Sequence, residues 1–245
     1  MNRLTYPDIA RILGTGLIST GLGLLMFVVV TIAWGDPFTR LSAQGEQQKL
    51  ARQFAGVAPV SGDLTDAKLD YELTIRAATL AKKTTKLGAP AGRITIPRIK
   101  MKRIFVNGAR VPDLKKGPGL YKEVRFPGSG APVAIAGHRT THGAPFLHID
   151  QLRKGDAIVL TMPYGRFTYR MTRTQIITPR DWTIINYGAA EPTSSARTAV
   201  ARSRQCIETC EHLVLTACHP KYSAAKRIAV FARLSKVELS AGGAT

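Results

Sequence analysis

Acidic residues are scarce in this 245-residue chain: 16 Asp and Glu stand against 35 Lys and Arg, a formal net charge of +19. No cluster of carboxylates of the kind that calcium selects is visible, so no metal requirement is expected. Cysteine is scarce too, with only Cys206, Cys210 and Cys218. An odd number in an exported domain leaves one thiol over. Cys206 and Cys210 either close a short disulfide loop or both stay reduced. Zinc on Cys206, Cys210 and His212 is disfavoured, because C-x3-C-x-H lacks a fourth ligand and is not a standard spacing. GxGxxG, Walker-type and HExxH patterns are absent, so phosphate-cradling loops and zinc proteases find no support. There is no internal repeat, and no cofactor is expected.

Charge is missing altogether from Ile12 to Trp34. At about 1.5 Å per residue such a helix is long enough for a hydrocarbon core. Arg3 and Arg11 precede it, and Trp34 stands where an interfacial aromatic belongs. A cleaved signal peptide is the competing reading. The run is too long for a typical signal core, and no small-x-small site follows. The expectation is an uncleaved single-pass anchor with residues 1–11 cytoplasmic and the rest outside. A large positive excess implies a polyanionic neighbourhood. An anchor turns that choice toward anionic lipid and acidic wall polymer and away from nucleic acid. A proteome that tolerates arginine is the plainer explanation.

Residues 35–91 read as stalk and linker. Within them 37–54 is a polar helix with few apolar residues, expected to lead away from the membrane, and 69–83 holds a short helical stretch. From Gly92 the texture changes to short β-rich runs punctuated by Gly and Pro. RFTYRMT alternates cleanly, with Phe167, Tyr169 and Met171 on one face. Short, evenly spaced strands predict a mainly β fold, a closed antiparallel barrel or a sandwich, over 92–238, with 239–245 as a tail. One late helix is expected at 191–204.

Three β-runs end in chemically useful side chains. LVLTAC ends in Cys218, PVAIAGH in His138, and KRIAV begins with Lys226 and Arg227. A lone cysteine is often just a small buried hydrophobe. A thiol at a strand end, followed by a polar loop, is better placed for chemistry. Cysteine, histidine and arginine together are the parts of thiol acyl transfer: nucleophile, acid/base and fixed positive donor. Arg227 fits if the strands carrying Cys218 and Arg227 are antiparallel neighbours. Arg233 lies deeper, and Lys226 lacks the planar fork. His148, His212 and His219 read as structural.

These segments resemble the sortases, membrane-anchored cysteine transpeptidases of Gram-positive bacteria. Leu215-Thr216-Ala217-Cys218 is similar to the family's TLxTC strand. GHRTTHGAPF (137–146), CHPKYSAAKRIAV (218–230) and KGPGLY (116–121) resemble class E sortases of actinobacteria. The resemblance implies a closed eight-stranded barrel with short helices. It implies Cys218 as nucleophile, His138 as acid/base and Arg227 as the oxyanion or substrate donor, with His142, Thr216 and Ala217 binding substrate. His142 stands where class E members usually have the tyrosine that reads the second position of the sorting signal. Ala217 replaces a usual threonine. The implied substrates are secreted proteins with an LPxTG or LAxTG signal, and the implied acceptor is an amine of peptidoglycan precursor or pilin. Two other readings are a wall-binding module without activity and a hydrolytic cysteine protease.

Overall fold

In the computed structural model the residues described are 6–34, 37–54, 79, 86–122, 124–181, 183 and 211–239. The expected helix at 191–204, nearly all of 69–83, and Cys206 and Cys210 lie outside them. The chain divides into two units, 1–38 and 39–245. The first is occupied by helix α1 (Tyr6–Trp34). Its segment Ala10–Val30 is long and apolar enough to cross a membrane. The hydroxyls within it are satisfied locally. Thr15 Oγ1 donates to the Arg11 carbonyl at 2.8 Å, Ser19 Oγ to Thr15 at 2.6 Å and Thr20 Oγ1 to Gly16 at 2.8 Å. Backbone acceptors inside the helix thus spare these groups the cost of facing hydrocarbon unpaired.

The second unit is built on eight strands: β1 (Pro90–Ile96), β2 (Met101–Asn107), β3 (Gly119–Leu120), β4 (Val133–Ala136), β5 (Ala157–Met162), β6 (Gly165–Ile177), β7 (His212–His219) and β8 (Lys226–Leu239). They close into a barrel in the order β1-β2-β3-β4-β7-β8-β6-β5. Two neighbouring pairs, β2–β3 and β4–β7, are parallel, and the others are antiparallel. The closed eight-stranded barrel is the architecture the resemblance implied. A one-turn helix, α3 (Val111–Leu114), joins β2 to β3.

The alternation that marks β6 in the sequence is the inside–outside alternation of the barrel wall. Phe167, Tyr169 and Met171 are buried, while Arg166 and Arg170 are exposed. The interior is filled by Ile94, Phe105, Ile135, Ile158, Leu160, Phe167, Tyr169 and Leu215, among others. Burying each such side chain is worth about 1.5–3 kcal/mol. Strand β7 lacks alternation because both faces are covered. Leu213, Leu215 and Ala217 face the interior cluster. Val214 faces an outer cluster with Ala134, Ile177, Ala229 and Phe231.

Helix α2 (Pro37–Phe54) is not the free polar stalk expected. Residues 39–54 lie on the barrel. Leu50 and Phe54 are buried against Ile104 and Val106 of β2. Gln47 docks the helix by matching β2 at both of its amide atoms. Its Nε2 donates to the carbonyls of Ile104 at 2.9 Å and Lys116 at 2.8 Å, and its Oε1 accepts from the Ile104 amide at 2.8 Å. Ala43, Gln47, Leu50 and Phe54 fall at i, i+4, i+7 and i+11, one helical stripe in which a glutamine and an alanine dilute the apolar signal.

At the end of the barrel where β7 begins, the floor is tied together by one carboxyl. Glu211 is buried and accepts from Tyr169 Oη at 2.6 Å and from the amides of Gly128 and Gly130 at 3.0 Å. Burial pushes its pKa up to about 7, with the hydrogen bonds from Tyr169 and the loop amides opposing the rise. A folded pKa above the unfolded one means stability that is present at acidic pH and lost as pH rises through about 7. We expect Glu211→Leu to strip three donors of their acceptor and destabilise the barrel by about 3 kcal/mol or more. Glu211→Gln should flatten the decline of stability relative to wild type between about pH 5 and 8. Thermal and denaturant unfolding across that range checks both.

Candidate active site

The parallel pairing of β4 with β7 brings two distant segments together. Its register sets Ala136 beside Thr216, and the Gly137 amide continues the ladder to the Thr216 carbonyl at 3.0 Å. Extended by two residues, the same register brings His138 level with Cys218. On the other side of β7, antiparallel pairing with β8 sets Cys218 directly opposite Arg227. Directly opposed residues of an antiparallel pair project to the same face of the sheet. Arg233 pairs instead with His212, at the far end of the strand. Thiol, imidazole and guanidinium therefore share one rim.

Parity along β7 decides which neighbours share the face of Cys218. Val214, Thr216 and Cys218 are on the outer side. Thr216 is buried there, its hydroxyl hydrogen-bonded to Tyr121 at 2.8 Å. Ala217 points the other way and is 3 % exposed within the interior cluster. A residue one step from the thiol along a strand faces away from it. The missing hydroxyl of the usual threonine is thus replaced by a methyl group packed in the core.

The loop after β4 is folded back on itself. Phe146 donates its amide to the His138 carbonyl at 3.1 Å. A Cβ on Gly137 would lie 2.5 Å from Phe146 Cδ2, so only glycine admits the ring here. His142, at φ 50°, turns back onto His138, and the two imidazoles stack with centroids 4.6 Å apart and planes 26° apart. The His142 amide donates to Thr39 Oγ1 of α2 at 2.9 Å.

His138 is electrostatically unusual. Burial lowers its pKa to about 4, with help from the nearby His142 and Lys115. Its Nε2 is buried without a hydrogen-bond partner among the described residues. Cys218 itself is a partly accessible free thiol. The Arg227 guanidinium is steadied by Nη1, which donates to the carbonyls of Ala224 and Lys226, both at 2.9 Å. Among the described residues, Nε and Nη2 make no hydrogen bond.

Arg139 was not singled out in the sequence, and it is buried beneath this rim. Nη2 pairs with Asp150 at 2.9 Å, while Nη1 reaches His219 Nδ1 at 2.9 Å and the Cys218 carbonyl at 3.3 Å. Arginine only donates, so Nδ1 of His219 is the acceptor. The guanidinium thus clamps the end of β7 to the loop after β4. The one available signal was a charged residue directly after His138; its partner Asp150 gives none. His148 bonds to Gln151, in keeping with a structural part. Among the described residues no three of His, Cys, Asp or Glu converge on a metal position.

A family model described as the sortase domain matches residues 94–235, more than half of the chain. Sortase D of Bacillus subtilis (strain 168) is 27% identical over 209 residues, covering 85% of this chain and 86% of that protein. Sortase SrtE1 of Streptomyces coelicolor is 23% identical over 234 residues, covering 92% of this chain and 57% of that protein. Among solved structures, the SrtF sortase from Corynebacterium diphtheriae superposes with a TM-score of 0.54 at 24% identity, over 65% of this chain and 91% of that one. Sortase E1 from Streptomyces coelicolor, solved with a tripeptide in the active site, gives 0.51 at 22%, over 62% and 91%. At these identities the structures support the shared fold.

The imidazole pair yields a direct check. In full-length protein, ring resonances of His138 should titrate near pH 4, and His142→Ala should move that midpoint upward by removing a positive neighbour. A wild-type midpoint at or above the ordinary 6.5 would contradict the burial of this group.

Proposed function

Because this chain belongs to the sortase family of cysteine transpeptidases, we propose that Cys218 attacks the Thr–Gly bond of an LPxTG- or LAxTG-type sorting signal. What carries the reading is the pairing of Cys218 with Arg227 across β7 and β8, with His138 brought to the same rim by β4. The thiol sulfur bonds to the threonine carbonyl carbon, and the thiol proton passes to His138. The C–N bond then breaks, and the imidazolium returns its proton to the departing glycine amine. A thioester on Cys218 remains. An amine from a peptidoglycan precursor or a pilin lysine attacks it, His138 takes the amine proton, the C–S bond breaks as the new amide forms, and His138 returns the proton to the departing Cys218 thiolate.

The depressed pKa of His138 makes the neutral imidazole its resting form at neutral pH. The imidazolium form of His138 is therefore a minor species at rest. Arg227 donates to the carbonyl oxygen as negative charge develops on it, which is where a fixed donor contributes most. His142 sits beside His138 and reads the residue after leucine in the signal. The N-terminal apolar helix holds the enzyme in the cell membrane as a single span, N-terminus inside, with the barrel outside facing secreted substrates and the wall.

The test is incubation of full-length protein in detergent with paired LPxTG and LAxTG peptides and a diamine, followed by mass analysis. A diamine-capped peptide and a mass increase on Cys218 are expected, and hydrolysed peptide alone would contradict transfer. Cys218→Ala should abolish both products; wild-type turnover in that variant would end the assignment. Arg227→Lys should lower kcat by about 100-fold while changing KM less. His142→Tyr should shift kcat/KM toward the alanine-containing peptide.

A further inference from the structure

Outside the rim, the docking of α2 against the loop after β4 creates a hollow of about 280 Å³, lined by Arg40, Gln47, Arg103, Lys116, His142 and Gly143, among others. Ligand sites typically enclose roughly 300–1,000 Å³, so this one suits a small group. A second hollow of about 120 Å³ continues it, sharing Arg40, Arg103, Gly143 and Pro145 and adding Lys100. Among the described residues four cationic ones, Arg40, Lys100, Arg103 and Lys116, border this groove, and no Asp or Glu does.

Those cations are poorly compensated. Among the described residues no carboxylate forms an ion pair with Arg40, Lys100 or Arg103. Arg103 Nη1 donates to the Lys102 carbonyl at 3.0 Å. Lys116 has a carbonyl, that of Gly88 at 3.3 Å, and the field of Asp113. Gathering like charges without counter-charge costs free energy that a bound anion recovers. The groove walls are also fixed in advance. Gln47 ties the helix to β2, Thr39 holds the His142 amide, and a Cβ on Gly143 would come within 3.2 Å of the Ala43 methyl.

We propose that this groove is a binding site for a phosphate-bearing group, a phosphodiester or diphosphate, gripped by Arg40 and Arg103 with Lys116 beside them. Two guanidinium forks match tetrahedral phosphate oxygens in a bidentate way, whereas a lysine acts as a point charge. The sequence supplies a reason for such a group to be at hand. Arg40 is the first basic residue after the uncharged segment that ends at Trp34. Any bilayer entered by that segment presents phosphates at its surface, and lipid-borne diphosphates as well. The hollow shares His142 with the peptide site proposed above, but its grip rests on Arg40, Arg103 and Lys116, and its ligand is of a different class.

The probe is inorganic pyrophosphate, titrated calorimetrically into the full-length chain in neutral detergent at about 150 mM salt, where loose surface attraction is screened beyond about 8 Å. Saturable binding with Kd below about 1 mM is expected. Arg40→Gln with Arg103→Gln should weaken it at least tenfold, and Arg40→Lys with Arg103→Lys should recover part of the loss. Arg166→Gln with Arg170→Gln, two exposed arginines on β6, removes the same net charge and should leave affinity unchanged. Unaltered unfolding midpoints verify that all variants are folded. In nanodiscs, pyrophosphate affinity that falls when phosphatidylglycerol replaces phosphatidylcholine identifies a lipid headgroup as the occupant. Affinity indifferent to lipid identifies a phosphate group that is not a bilayer headgroup. Absence of saturable binding, or equal losses in the groove and β6 variants, overturns the proposal. Loss of transpeptidation in Cys218→Ala with pyrophosphate binding intact keeps the two claims separate.

Discussion

The meeting of His138 with Cys218 depends on four residues of parallel pairing between β4 and β7. Val133–Ala136 and Leu213–Thr216 are about eighty residues apart in the chain, yet their ladder fixes, to within a residue, where two loops emerge. A slip by one residue would turn Cys218 into the barrel and bring Ala217 to the outer face. The register is protected from both sides. Leu213 and Leu215 fill the interior, Val214 and Thr216 are covered outside, and Glu211 pins the start of β7 to the barrel floor. At the other end of the strand the Arg139 guanidinium bonds the Cys218 carbonyl and Asp150 together. A reactive group at a rim is only as well aimed as the strand below it is anchored.

Burial then sets the chemistry. The stack of His138 on His142, beneath a loop closed by Phe146, removes water from an imidazole and holds it neutral. Lys115 adds a nearby cation that lowers the His138 pKa further. The same surplus of positive charge, visible in composition alone, is concentrated in the groove between α2 and the loop after β4.

Much of this was legible in the residues. Alternation in RFTYRMT gave the barrel wall, and strand ends gave the positions of Cys218, His138 and Arg227. The antiparallel neighbourhood of the last strands was a condition stated for Arg227, and β7 and β8 meet it. Other features were hidden for physical reasons. The docking face of α2 contains Ala43 and Gln47, so its stripe reads as polar, although the glutamine makes three specific bonds. The inward direction of Ala217 follows from strand parity only once the barrel closure says which face is inside. Arg139 gave no signal of its own because a buried arginine reveals itself only through its partners, and His219 is distant in sequence.

The central claim is that residues 138, 218 and 227 meet at one rim, and disulfide trapping tests it most directly. In full-length protein with Cys206 and Cys210 replaced by serine, mild oxidation should link Cys218 to a cysteine placed by Arg227→Cys, and to one placed by His138→Cys. Side chains that face each other across a strand pair lie close to disulfide range. A cysteine placed by Arg233→Cys should stay reduced. Ready cross-linking in the Arg233 variant, with none in the Arg227 and His138 variants, would contradict the register on which the site is built.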